Sequence, residues 1–274
     1  MKRLALACCL AALAAVLAGA QGFGQRWGRM RSEPPRFPTA DSFDGFYNFC
    51  RGMFTSSGRE RGGSGWSTDY PDADINFSIR LSELTKTRIS VLPNGEPNHL
   101  VVRLTDDAIF KCPIIEMEDV GTIMFSEDEV VRLREYLLKG GFLYVDDFWG
   151  SEAWYQWEEE IGRVLPPKQY PIVDIGSDHQ LFRVMFSFTK IPQIPSINSW
   201  RRSGGETSER GSDSAEVHLR GINDRQGRLM VLMTHNTDIS DAWEREGEDP
   251  RYFYRFSPDG YAVGINIVMY ALTH

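Results

Sequence analysis

Cysteine is scarce in this chain. Four occur in 274 residues, and two of them, Cys8 and Cys9, fall inside an apolar N-terminal run. Cys50 and Cys112 remain, and neither sits in the Gly-flanked turn that a nucleophile elbow requires. Their spacing leaves two readings open: a bridge, which an oxidising compartment permits, or two small buried side chains. Histidine is also sparse, with five residues, and no H-E-x-x-H or other tight ligand spacing occurs. Positive charge is in deficit: 30 Lys and Arg face 38 Asp and Glu, a net charge of −8. That argues against nucleic acid as a partner, because binding a polyphosphate needs cations. Long apolar runs are missing as well. Beyond the N-terminus none approaches the ~20 residues of a bilayer-spanning helix.

What is present begins with a leader. Lys2 and Arg3, the apolar stretch from Leu4 to Leu17, and Ala18-Gly19-Ala20 follow the order of a secretory signal peptide cut after Ala20. The expectation is a periplasmic or secreted protein with no transmembrane span after removal of residues 1–20. An uncleaved N-terminal anchor is the alternative. Residues 21–43 are rich in Gly, Arg and Pro and read as a flexible leader. Residues 44–274 suit a single α/β domain.

The strongest local pattern lies at 126–150. Ser126 and Glu129 form an S-x-x-E capping box, with Phe125 and Val130 at the staple positions. Val130, Leu133 and Leu137 then give one apolar helix face, and Gly140-Gly141 stops the helix. Phe142-Leu143-Tyr144-Val145 has no polar alternation, the mark of a strand covered on both faces. Further strands are expected at 46–53, 100–104, 113–117 and 229–233, and helices at 72–84, from Ser151 to a stop at Pro166-Pro167, and at 260–272. Residues 56–66 and 203–214 read as mobile loops, and 171–200 as irregular. Strands alternating with helices imply a mostly parallel sheet with helices on both faces.

Strand ends are where open α/β sheets bind ligands. Asp146 and Asp147 end one strand. Adjacent strand residues point to opposite faces, so only one of the two is expected to serve a site, as a base or a metal ligand. His235 ends another strand and is followed by Asn236, Asp238 and Asp241; a neutral imidazole there can bind metal or move protons. His179 follows Asp178 in a loop. The catalytic candidates are therefore Asp146, Asp147, His235 and Asp238, and the metal candidates His179, His235 and Asp147. Trp149, His179, Asn236, Asp241 and Trp243 are the ligand-binding candidates. Trp149, Trp154, Trp157, Trp200 and Trp243 flank this edge and would suit a sugar or peptidoglycan strand, although most Trp residues simply pack.

Several stretches together resemble a known family: WSTDYP at 66–71, RLSELT at 80–85, EVVRLREYLLKGGFLYVDDFWG at 129–150, Asp178-His179, GRLMVLMTHNTDISDAWE at 227–244 and GINIVMYALTH at 264–274. The chain is similar to the bacterial domain of unknown function 4159, and the resemblance spans nearly all of 44–274. It implies a class I glutamine amidotransferase-like, flavodoxin-like α/β fold without implying that chemistry, since no elbow cysteine exists. Relatives often carry Gly-His after the strand at 113–117; here Glu118-Asp119-Val120-Gly121 stands instead. The expected role is an exported cell-envelope module that binds a glycan or protein partner in the strand-end cleft. The alternative is a metal-assisted hydrolase acting on a glycan or ester. Which cofactor the chain uses, if any, does not follow from these residues.

Overall fold

A computed structural model describes residues 33–274. The expected signal peptide, Cys8, Cys9 and residues 21–32 of the leader lie outside the described residues. In chain order the strands are β1 (Cys50–Met53), β2 (Leu100–Arg103), β3 (Ile114–Glu118), β4 (Phe142–Asp146), β5 (Ile172–Asp174), β6 (His218–Asn223) and β7 (Leu229–His235). The helices are α1 (Asp72–Leu84), α2 (Glu127–Leu138), α3 (Gly150–Val164), α4 (Ile197–Ser203), α5 (Asp241–Glu244) and α6 (Pro250–Thr273).

The capping box forms as read. Ser126 Oγ accepts from the Glu129 amide at 3.3 Å, and Glu129 Oε2 accepts from the Ser126 amide at 2.8 Å. Reciprocal bonds of this kind satisfy amides that a helix start would leave orphaned. At the other end of α2, Gly140 takes φ +110°, a conformation that a Cβ would resist.

The sheet order is β2-β1-β3-β4-β7-β6-β5. The first five strands are parallel, and β6 and β5 extend the sheet antiparallel. A 2-1-3-4-5 run of parallel strands is the flavodoxin-like order, so the expected fold class is present. Both faces are covered, as the unbroken apolar β4 implies. Leu143 and Val145 join the core under α2 and α3, with Leu133, Leu137, Trp157 and Ile161. Phe142 and Tyr144 join the core under α1 and α6, with Phe77, Leu81, Tyr261 and Ile265. This is the period-2 alternation of a strand read out on two helical layers. Among the described residues no helix is long and apolar enough to cross a membrane.

Several details go beyond the sequence reading. β5 and β6 extend the sheet from β7 in a region read as irregular or unassigned; β5 has three residues and β6 mixes polar with apolar ones, so neither shows a clean period. The last helix begins ten residues earlier than expected, with Asp249 as N-cap and Pro250 in its first turn, where proline costs no hydrogen bond. Cys50 and Cys112 form a disulfide, with Cα atoms 6.2 Å apart, which closes the question their spacing left open. Residues 33–37, grouped with the leader by composition, run beside β2 as a strap, where the Val101 amide donates to the Arg36 carbonyl at 2.9 Å.

Candidate functional site

The parallel strand order reverses between β1 and β3, where β1 leads outward to β2 and the chain then returns to β3. A crevice outside the carboxyl ends is expected at such a switch point. It is there, as a cleft of about 820 Å³. Its floor is built by residues with unusual backbone. Asp119 follows β3 at φ 53°, Asp147 follows β4 at φ 50°, and Asp69 lies in the β1–α1 connection at φ 60°. All three line the cleft. Asn236, after β7 at φ 65°, completes the set of non-glycine residues with positive φ among the described residues. Left-handed backbone is costly for a residue with Cβ and gathers at functional sites.

Surrounding bonds hold these turns. The Asp119 amide donates to the Asp147 carbonyl at 3.0 Å, and the Asn236 amide to the Phe148 carbonyl at 3.0 Å. The 56–66 loop, read as mobile, is fastened across the cleft. Asp119 Oδ2 accepts from the Gly65 amide, and Glu60 Oε1 accepts from the Gly121 amide at 2.6 Å. Glycine is needed on both sides of this closure: a Cβ at Gly63 would overlap the Asp119 carboxylate, and one at Gly121 would overlap Glu60. Asp119 and Gly121, just after β3, thus serve here to dock this loop. Residues 203–214 are likewise tied down, with Ser214 Oγ accepting from the Arg210 amide at 2.9 Å and Asp213 Oδ2 from the Ser151 amide at 2.9 Å.

The cleft is acidic on balance. Asp69, Asp119, Asp147, Asp238, Asp241 and Glu244 line it with Glu60, and Arg61, Arg202, Arg210 and Arg245 line it too. Carboxylate oxygens of Asp69, Asp241 and Glu244 lie within 4.8 Å of one another. Burial, compounded by neighbouring negative charge, pushes these groups up. Asp69, Asp147 and Asp238 are raised well above the usual carboxylate range, Asp119 and Asp241 to about 6, Glu60 to about 8 and Glu244 to about 9. For Glu244 the leading cause after burial is the Asp241 charge. Asp69 Oδ2 is sealed from solvent and meets no donor. Arg245 stands near, but its Nε lies 2.6 Å from Glu248 and 3.7 Å from Glu244. An all-oxygen set of this type suits a hard cation such as Ca²⁺ or Mg²⁺.

Beneath the cleft lies a second charged group that sequence reasoning missed. Arg51, wholly buried in β1, donates from Nη1 to Glu118 Oε2 at 2.6 Å and to the Thr68 carbonyl at 2.9 Å, and from Nε to Asp74 Oδ1 at 2.9 Å. Its one trace in the sequence is an arginine inside the otherwise apolar Phe49-Cys50-Arg51-Gly52-Met53.

The structure sorts the expected site residues plainly. Asp147, Trp149, Asp238 and Asp241 line the cleft, and the Trp149 indole donates to Asp147 Oδ1 at 2.8 Å. Asp146 does not: it is fully buried, and its Oδ2 accepts the amides of Ile239 at 2.7 Å and Ser240 at 3.1 Å, which folds the β7–α5 turn. His235 is also corrected. Its ring packs on Phe148, Trp154 and His218, its Nε2 lies 3.0 Å from the Gly150 carbonyl, and burial lowers its pKa to about 4. Asn236 braces the α3 start, accepting from the Gly150 amide at 2.8 Å and donating to the Glu216 carbonyl at 2.7 Å. His179 caps a short turn, accepting from the Leu181 amide at 3.2 Å, and packs beside Tyr270. Trp243 is core, tilted against Phe77 with centroids 4.4 Å apart. Trp157 is core too; of the five tryptophans named at this edge, Trp149 lines the cleft, where Trp66 and Tyr70 join it. Asp69, Glu60, Asp119 and Glu244 are acidic lining residues that the candidate set did not include. The cue at Asp69 was present: it sits inside the WSTDYP stretch.

Residues 58–272 match the family model described as Domain of unknown function (DUF4159). No curated protein matches the chain.

Proposed function

The chain belongs to the DUF4159 family, and for this member we propose a binding role: an exported module that takes a ligand in the strand-end cleft and meets it through a divalent cation. The observation that carries this reading is the convergence of Asp69, Asp241 and Glu244 within 4.8 Å where counter-charge is short. Carboxylates so placed cannot all ionise unaided, and their raised pKa values express that cost. A cation relieves it, and an envelope ligand with its own oxygen donors completes the coordination. Export rests on the charged, apolar and A-x-A order of residues 1–20.

Binding must displace protons, because the carboxylates are partly protonated near neutral pH. Titration of the mature protein with Ca²⁺, Mg²⁺ and Mn²⁺ in two buffers of different ionisation heat measures this directly. Saturable binding with proton release is the expected result, weakened at least tenfold by Glu244→Gln and by Asp69→Asn. Absence of heat with all three ions would sink the reading.

A second reading has one specific support. Asp241 and Glu244 stand side by side, joined by a side-chain hydrogen bond, and burial raises both above the usual carboxylate range. A carboxyl pair that shares a proton can supply a base and an acid, as hydrolysis of a glycan or ester requires. Turnover of such a substrate without added cation, lost in Asp241→Asn, would favour hydrolysis over binding alone.

A further inference from the structure

His99 is an anomaly outside the acid cluster. It precedes β2, is 0 % exposed, and neither ring nitrogen has a hydrogen-bond partner. Buried polar atoms are nearly always satisfied. Desolvation holds this ring neutral, below its usual 6.5. Its edge meets Tyr70, with ring centroids 5.5 Å apart. Tyr70 in turn fastens the strap. The Arg36 amide donates to the Tyr70 hydroxyl oxygen at 3.2 Å, and that hydroxyl donates to the Pro34 carbonyl at 3.2 Å. A second fastening is the Val101 amide on the Arg36 carbonyl. Glu33, Pro34, Pro35 and Tyr70 all line the cleft, so the strap is one of its walls.

We propose that His99 is a proton-operated latch, releasing the 33–36 strap from the cleft wall when its ring is protonated. Charged groups face the ring from each element packed on it. Arg36 of the strap repels an imidazolium, while Asp74 of α1 and Glu96 of the turn before β2 attract it. Asp74 is already clasped by Arg51, and Glu96 is engaged elsewhere. A protonated His99 therefore has only the Pro97 carbonyl near it and no carboxylate free to pair with it, and it pushes on Arg36. Tyr70 touches both this ring and the cleft, and displacing it gives the imidazolium water while breaking both of its strap bonds. The latch does not depend on which ligand the cleft takes.

Hydrogen exchange of the mature chain at pH 7.5 and pH 5.0, corrected for intrinsic rates, tests this at the Arg36 and Val101 amides. If the open state titrates at the usual 6.5 and the closed state stays neutral, opening rises by up to about thirtyfold between the two pH values. His99→Gln is expected to abolish that rise. Tyr70→Phe is expected to leave the Arg36 amide weakly protected at both pH values. The Val145 amide in β4 serves as the control and should not change. Protection at Arg36 within twofold at the two pH values overturns the latch. So does a pH effect that persists in His99→Gln, or equal loss at Val145, which would mean global unfolding.

Discussion

Two groups of carboxylates lie one above the other at the switch point of this sheet. Asp74 and Glu118 close on Arg51, which spends its guanidinium on both of them and on the Thr68 carbonyl. Asp69, Asp241 and Glu244 converge as tightly, yet Arg245 sits closer to Glu248 than to any of them. The first group is complete as folded; it ties β1, β3 and α1 together and holds the carbonyl from which the cleft loop departs. The second is incomplete and open to the cleft. Both groups gather carboxylates, but the first is fully buried around an internal cation while Asp69 and Glu244 are half-buried without one, and that is what separates a structural cluster from a candidate site.

The largest effect should come from breaking the complete group. Arg51→Met removes the cation and leaves Asp74 and Glu118 buried without it, and stranding buried charge typically costs ~3–5 kcal/mol. Chemical denaturation should show that loss together with weakened cleft binding, because Thr68 is released. If Arg51→Met is neutral, the two groups are less different than their geometry implies.

The incomplete group should appear in the pH dependence of stability. Glu244 is raised from 4.5 to about 9. A group raised on folding contributes stability that is fully present below its unfolded pKa and lost as pH rises through the folded value. The melting temperature without cation should therefore fall between about pH 5 and pH 9, by an equivalent of roughly 1–3 kcal/mol. Saturating Ca²⁺ should flatten that limb, since binding to the folded state adds stability by mass action. On the acid side the sign reverses. His235, lowered to about 4, loses stability as pH falls from 6.5 toward that value. A flat alkaline limb without cation would contradict the assignment of uncompensated carboxylates.

The legibility of the molecule in its sequence follows the same division. Elements set by local rules were readable: the Ser126 capping box, the α2 face, the doubly buried β4, and the strand-end aspartates. The fold class follows from their alternation. What tertiary contact decides was not readable. Cys50 and Cys112 are 62 residues apart in sequence, and spacing could not pair them. β5 and β6 owe their pairing to β7 rather than to a pattern of their own. Asp146 and Asp147 look equivalent as letters, but a left-handed turn at Asp147 sends one carboxylate into the cleft and leaves the other to fold a loop. Glu244 was overlooked because nothing nearby in sequence shows that Asp69 will meet it. His235 was overvalued because a strand end specifies an edge and not the face on which a side chain packs.

That last point gives the smallest expected effect and the sharpest check on the comparison. His235 stacks on Phe148 with centroids 4.8 Å apart, and its one hydrogen bond goes to the Gly150 carbonyl. His235→Phe keeps the stacking and removes a single hydrogen bond, worth about 0.5–1.5 kcal/mol. It also removes a histidine that resists protonation, so the acid limb of the stability profile should become shallower. Affinity for cation in the cleft should stay within twofold. Asp147→Asn, at the end of the neighbouring strand, alters the cleft itself and should shift that affinity while leaving the acid limb in place. If the two variants exchange these effects, the site lies on the histidine side of the sheet edge, and the acidic cluster is a consequence of folding rather than the reason for it.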